Sequence, residues 1–232
     1  MRRVTAPRSE ERAPSAKGEQ TRELIVATAL RLFRENGYEA TTMRAIAVEA
    51  GVSVGNAYYY FPSKQHLVQA YYDASQAEHV AAARPVLDRE RDFEARLLGV
   101  LRARVDTMQS EKGFATGFFR FAADPQSPLS PFSEESAPAR GASIGLYAEA
   151  VRGAVGLKVP PELREALPEL LWLYQMGVVL FWVHDDSPGS AKTYALVDRT
   201  VPIVVKLVGL ARYRLLRGLV LDLLDLVQDL RA

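Results

Sequence analysis

The chain has 232 residues, 48% of them hydrophobic and 25% charged, with 29 basic against 28 acidic side chains. That balance leaves any nucleic-acid or membrane signal to be found locally rather than in the global charge. The absence of cysteine excludes disulfides, thiolate catalysis and cysteine-based zinc or iron–sulfur sites, and is compatible with a reducing, cytoplasmic setting.

In chain order, residues 1–17 are rich in Arg, Glu, Pro, Ser and Ala and offer too little apolar surface to offset ordering entropy. They read as a disordered tail. Its Arg2, Arg3, Arg8 and Arg12 can touch a polyanion, although Glu10 and Glu11 partly neutralise them. The segment has no apolar core and is not expected to act as a secretory signal.

Helical patterning begins at Gln20. Ile25, Ala29, Leu32 and Phe33 share one face of a helix over about 21–36, which Asn36-Gly37 ends. Tyr38 is placed to fold back on its last turn. Thr41 and Thr42 offer caps to a helix over 43–50 that buries Ile46, Ala47 and Ala50. Ser53 caps a third helix over 54–61, and Ser63 follows Pro62 to open a fourth. Between the second and third stands Ala50-Gly51-Val52-Ser53. Its small residue lets the helices cross, the glycine permits the sharp turn, the valine plugs the gap beneath and the serine caps. Those four residues between two short helices predict a helix-turn-helix.

The second helix of such a unit lies in the major groove. Ala57 and Phe61 are one turn apart and face inward, which leaves Val54, Gly55 and Tyr58 opposite, with Asn56 and Tyr59 on the flanks. Gly55 lets the backbone approach base edges, Val54 can meet a thymine methyl and Asn56 can donate or accept. Tyr58, Tyr59 and Tyr60 fan out over about 200°, so their hydroxyls can reach phosphates on the groove walls. Thr42 offers a hydroxyl and free N–H groups to a phosphate, Arg44 reaches a phosphate or a guanine edge, and Lys64 adds a point charge.

The pattern FRENGYEATTMRAIAVEAGVSVGNAYYYFPSKQHLVQAYY resembles the DNA-binding domain of the TetR family of bacterial transcriptional repressors. The resemblance implies a nine- or ten-helix, all-α protein with a divergent C-terminal ligand-binding and dimerisation domain. It implies phosphate contacts from Thr42, Asn56, Tyr59, Tyr60 and Lys64, and base-reading or groove-facing positions for Arg44, Val54, Gly55 and Tyr58. Two positions depart from the family: Ala57 stands where leucine is common, and Tyr60 where histidine is common.

The remainder also reads as helical, over about 63–80, 93–110, 113–123, 133–155, 161–184, 190–211 and 215–230, with no sustained two-residue alternation. The apolar run 170–183 (LLWLYQMGVVLFWV) is shorter than a bilayer span and contains Gln175, so a buried helix is expected and no membrane partner. Phe114, Phe118, Phe119, Phe121, Tyr147, Trp172, Gln175 and Met176 are candidates to wall an apolar pocket with a few polar anchors. Core packing accounts for any single aromatic among them. His184-Asp185-Asp186 reads as a helix end rather than a metal cluster, and no cofactor is expected. Leu216, Leu219, Leu223, Leu226 and Leu230 form a stripe suited to a four-helix dimer interface, as the resemblance also implies.

The expectation is therefore a helix-turn-helix domain over 18–65 joined by a fourth helix to a ligand-binding and dimerisation domain over 66–232. The function expected is a cytoplasmic, homodimeric repressor on a two-fold symmetric operator, released by a small apolar or amphipathic ligand. Open beside it stand an activator or ligand-independent regulator, and an all-α enzyme or interaction protein with a purely structural helix-turn-helix. No acid/base pair or nucleophile favours an enzyme.

Overall fold

The computed structural model describes residues 16–112, 115, 122, 127, 130–211 and 213. Among these it is all-helical, as the sequence predicts: α1 (Ala16–Asn36), α2 (Met43–Glu49), α3 (Val54–Tyr60), α4 (Lys64–Arg89), α5 (Phe93–Met108), α6 (Ala137–Arg152), α7 (Pro161–His184) and α8 (Ala191–Leu210). The chain divides into two compact units, Met1–Leu67 and Val68–Ala232.

In the first unit, Ile25, Ala29, Ile46, Ala47 and Ala57 are fully buried, with Leu32, Phe33 and Phe61 beside them. Gly37 and Gly51 hold φ of +84° and +66°, the left-handed region that favours glycine. Gly51 sits in open space, so conformation rather than crowding selects it. The caps fall where predicted: Thr42 Oγ1 accepts from Ala45 N at 3.1 Å, and Ser53 Oγ from Asn56 N at 3.1 Å. Thr41 does not share the capping. Its buried hydroxyl donates to Gly37 O and Leu32 O, fastening the α1–α2 turn to the end of α1. Arg31 bridges Glu35 on its own helix and Glu49 on α2.

In the second unit α5 lies at the centre, against α6 and α8, with α7 on α6 and α8. Leu97, Val100, Leu101, Val105 and Met108 form its inner stripe, facing Leu146, Tyr147, Trp172, Trp182, Val197 and Val201. Arg96 is buried near the start of α5. Its Nε donates to Ala150 O at 2.8 Å, Nη1 to Leu87 O at 2.6 Å and Glu90 O at 2.7 Å, and Nη2 to Glu149 O at 2.9 Å. One guanidinium thus satisfies the orphan carbonyls at the ends of α4 and α6, where a cation also suits the helix dipoles.

Three expectations change. The tail's last two residues, Ala16 and Lys17, belong to the first turn of α1. The fourth helix continues to Arg89 rather than stopping near 80. Ala81–Ala83 favour helix, and burial of Ala83 and Leu87 outweighs the hydrogen bond lost at Pro85. The apolar run 170–183 sits within a 24-residue helix, which by length and composition alone can cross a bilayer. Its inward face, from Leu163 to Val183, packs into the bundle, which makes it a core helix.

Candidate nucleic-acid interface and ligand cavity

The third helix presents the faces that its spacing predicts. Ala57 and Phe61 are buried, at 0% and 2% exposure. Opposite them Val54, Gly55, Tyr58 and Tyr59 are exposed, while Asn56 and Tyr60 are half-buried. Tyr59 is the most open of the three tyrosines, 80% exposed against 49% for Tyr58. Tyr60 packs edge-on against Tyr59, ring centroids 5.2 Å apart, so the end of the aromatic run is braced from within. A Cβ at Gly55 would meet nothing within 4 Å, so the fold itself does not require glycine there.

Two predicted contact groups carry internal duties. Thr42, exposed, spends a lone pair on its cap, which leaves its hydroxyl proton to donate outward. Lys64 is not a free point charge. Its Nζ donates to Tyr38 O at 2.7 Å and lies 4.4 Å from the centre of the Tyr38 ring. Tyr38 in turn stacks on Phe33 with centroids 5.1 Å apart. Lys64 therefore ties the start of α4 to the α1–α2 turn. Arg44 is exposed on α2.

The second unit holds a half-open cavity of about 390 Å³, near the lower end of the range for small-molecule sites. Of the residues expected to wall a pocket, Trp172, Gln175 and Met176 line this cavity. Tyr147 lies behind the wall rather than in it: fully buried, it donates from its hydroxyl to Gln175 Oε1 at 2.8 Å. Gln175 Nε2 reaches Ser143 Oγ at 3.4 Å. The amide foreseen as a polar anchor is thus largely committed to the core. Phe114, Phe118, Phe119 and Phe121 lie outside the described residues; Ala115 and Ala122 line the cavity. The sequence reading missed Tyr71, Tyr72 and Gln76 on α4, Arg104 on α5, and Phe132, which meets Trp172 edge-on at 5.2 Å.

Arg104 is the unexpected group. It occupies the inner stripe of α5, where Leu97, Val100, Leu101 and Met108 set an apolar pattern. Its Nη1 donates to Ser75 Oγ at 3.0 Å and to Ser75 O, and its Nε has no partner. Burial lowers its pKa. Burial and the nearby Arg104 charge push His79 down to about 4, and the neutral ring bonds Val100 O at 2.9 Å. Burial raises the Tyr72 and Tyr147 hydroxyls, so both stay protonated.

His184-Asp185-Asp186 resolves as a helix junction. Burial opposes ionisation of Asp185, yet hydrogen bonds from Ser187 and Thr193 hold its carboxyl below the usual range. It accepts from Ser187 N at 2.9 Å and Oγ at 2.6 Å, and from Thr193 N at 2.8 Å and Oγ1 at 2.7 Å. The predicted stripe Leu216, Leu219, Leu223, Leu226 and Leu230 lies outside the described residues. On α8, Ile203, Leu207 and Leu210 are exposed at i, i+4 and i+7.

The pattern of the tetR family of bacterial regulatory proteins matches residues 25–71, and that of the tetracyclin repressor-like C-terminal domain matches residues 96–230. The chain belongs to the TetR family. Among TetR-family relatives, it is 43% identical over 60 residues to the transcriptional repressor KstR of Mycolicibacterium smegmatis, covering 26% of this chain and 29% of that one. It is 34% identical over 101 residues to the transcriptional regulator SrpR of Pseudomonas putida, covering 44% and 47%. These matches span less than half the length of either relative. The fold is shared more widely. A TetR-family regulator from Syntrophomonas wolfei superposes with a TM-score of 0.67 at 16% identity, over 81% of this chain and 95% of that one. Thermus thermophilus FadR, a TetR-family repressor solved with lauroyl-CoA, gives 0.57 at 24%, over 78% and 93%.

Proposed function

We propose that this TetR-family chain is a cytoplasmic homodimeric repressor that binds a two-fold symmetric operator and is released by a small apolar or amphipathic ligand. The observation that carries the DNA-reading half is the two-faced third helix. Its inward face is used by Ala57, fully buried, while Val54, Gly55, Tyr58 and Tyr59 are exposed on the opposite side. In this reading residues 18–65 form the reading head. Gly55 and Val54 approach base edges, with Tyr58 and Arg44 beside them. Thr42, Asn56, Tyr59 and Tyr60 meet the backbone. Lys64 holds the head in shape through Tyr38 and has one ammonium proton left for a phosphate.

Residues 66–232 sense the ligand and dimerise. α4 carries Lys64 at its start and Gln76, farther along the same helix, in the cavity wall. A ligand that displaces the tyrosine and glutamine side chains of α4 therefore acts on the element that braces the reading head. Decisive release needs about 5.5 kcal/mol of preference for the non-binding form. The acyl-CoA bound to Thermus thermophilus FadR supports an apolar chain as part of the ligand. The exposed leucines of α8 support a helical dimer interface.

The test is a fluorescence titration of the full chain against the promoter of its own gene, across a salt series. Specific binding with a steep negative salt slope is expected; binding no tighter than to random duplex would sink the reading. Tyr58→Ala is expected to weaken specific binding about tenfold, the order of one lost polar contact. Its melting temperature should stay unchanged, because half of that side chain is already in solvent.

A further inference from the structure

Five buried side-chain atoms lack a hydrogen-bond partner among the described residues: Gln76 Nε2, His79 Nδ1, Arg104 Nε, Gln109 Nε2 and Trp182 Nε1. Three of them, on Gln76, Arg104 and Trp182, belong to side chains in the cavity wall. All three are donors: an amide, a guanidinium and an indole. Gln76 is 7% exposed and Trp182 1%. Protein interiors leave few polar groups unpaired, and three unmet donors on side chains that wall one apolar space are relieved if those side chains turn toward an acceptor within it.

The charge pattern sharpens the demand. No aspartate or glutamate lines the cavity among the described residues, whereas Arg104 and Arg140 both do. Arg140 is braced, with Nη1 donating to Pro131 O and Ser133 O at 2.8 Å each. Among the described residues Arg104 has only Ser75. The carboxylate whose charge reaches it, Glu78, is exposed and makes no ion pair with it. Arg96, just over two α5 turns away, shows what a structural arginine looks like here: four carbonyls meet its guanidinium. Arg104 Nε is unmet and closed off by neighbouring atoms, but the side chain as a whole is half-buried and lines the cavity, so a turn of the guanidinium presents its fork for bidentate pairing with a carboxylate or another oxyanion. Beyond it the wall is apolar, with Met108, Phe132, Trp172, Met176 and Val179.

We propose that the cavity binds an amphiphile with an oxyanion head, in its simplest form a carboxylate, held by Arg104 with Gln76 as a second donor and its chain among the aromatic and methionine side chains. This rests on the ligand-binding reading of the cavity. The specificity is chemical: the free acid is selected over the alcohol of the same chain, which offers one neutral acceptor, and over the amine, which brings a like charge.

Trp172 and Trp182 make the cavity its own reporter. The full chain is titrated with dodecanoate, dodecanol, dodecylamine and lauroyl-CoA while tryptophan emission is followed. Dodecanoate is expected to bind about 10- to 100-fold tighter than dodecanol, the range of a charge-assisted hydrogen-bond pair, and dodecylamine weakest. Arg104→Met should bring acid and alcohol to similar affinity, Arg104→Lys should keep part of the preference, and Gln76→Leu should reduce it. Ligand-free Arg104→Met is expected to melt at or above the wild-type temperature, because it removes a half-buried charge that has no counter-ion among the described residues. Arg96→Met should melt lower.

Equal affinity for acid and alcohol, no binding of dodecanoate, binding of lauroyl-CoA alone, or an acid preference that survives Arg104→Met would each overturn the inference. So would a lower melting point for ligand-free Arg104→Met, which would make that arginine structural. Dodecanol releasing operator DNA as well as dodecanoate does would overturn it too, while leaving ligand release intact. Arg104-dependent binding of dodecanoate with unchanged operator affinity would leave the inference standing and remove ligand release.

Discussion

Single residues in this protein are best told apart by whether the fold itself uses them. Gly51 and Gly55 are both exposed glycines with open space around them, but only Gly51 has a positive φ. Gly55 is therefore free of any duty to the fold, and a helix-interior glycine costs about 0.5–1 kcal/mol relative to alanine. Gly55→Ala should keep or raise the melting temperature while weakening operator binding in the same titration, since a methyl would stand where base edges approach. An unchanged affinity would show that α3 does not come so close. His79 is used differently: buried, neutral and held at about 4 against an ordinary 6.5. Between those pH values the unfolded chain binds a proton that the folded chain excludes. Stability is therefore lost as pH falls from about 6.5 towards 4, by about 3 kcal/mol in all. Thermal melts from pH 7 to 4 should show a shallower acid slope in His79→Gln than in the wild type; equal slopes would mean that His79 is not buried neutral.

Elements here are shaped more at their junctions than along their lengths. In the reading head α2 and α3 are short, and their ends are set by Thr42, Gly51 and Ser53, all local signals. Longer helices depend on distant partners: α4 and α6 end on the Arg96 guanidinium, and the start of α8 hangs on Asp185. Asp185→Ala should therefore destabilise the protein by about 2 kcal/mol or more, the scale of a lost cap plus hydrogen bonds to a charged group. Denaturant unfolding measures this, and a change below about 0.5 kcal/mol, typical of surface substitutions, would rule the cap out. The stop predicted near residue 80 failed for the same reason. Ala81–Ala83 favour helix locally, but it is Ala83 and Leu87, facing the core of the second unit, that carry the helix past Pro85.

At the scale of the whole molecule, the exposed stripe of α8 is unexplained in a single chain. Leu207 is 60% exposed and Ile203 54%. A second copy laying its own stripe against this one covers both, and a two-fold interface needs such self-complementarity. Leu207→Glu should fold normally, since the side chain is in solvent in the single chain. It should shift the protein from dimer to monomer in light scattering and weaken operator binding at a given concentration. A variant that remains dimeric would move the interface away from this face.

The amino-acid sequence by itself determined the all-helical class and the helix-turn-helix with its inward Ala57 and Phe61. These rest on caps, a left-handed glycine and 3.6-residue periodicity, all of which act within a few residues. Tertiary structure alone decided that Lys64 grips Tyr38, that Gln175 is satisfied by Tyr147 and Ser143, and that Arg104 lines a cavity held only through Ser75 among the described residues while four carbonyls meet Arg96. Both arginines stand on one apolar helix and look alike in sequence. Their roles differ because a buried cation is defined by the oxygens that reach it, and those oxygens come from residues far along the chain.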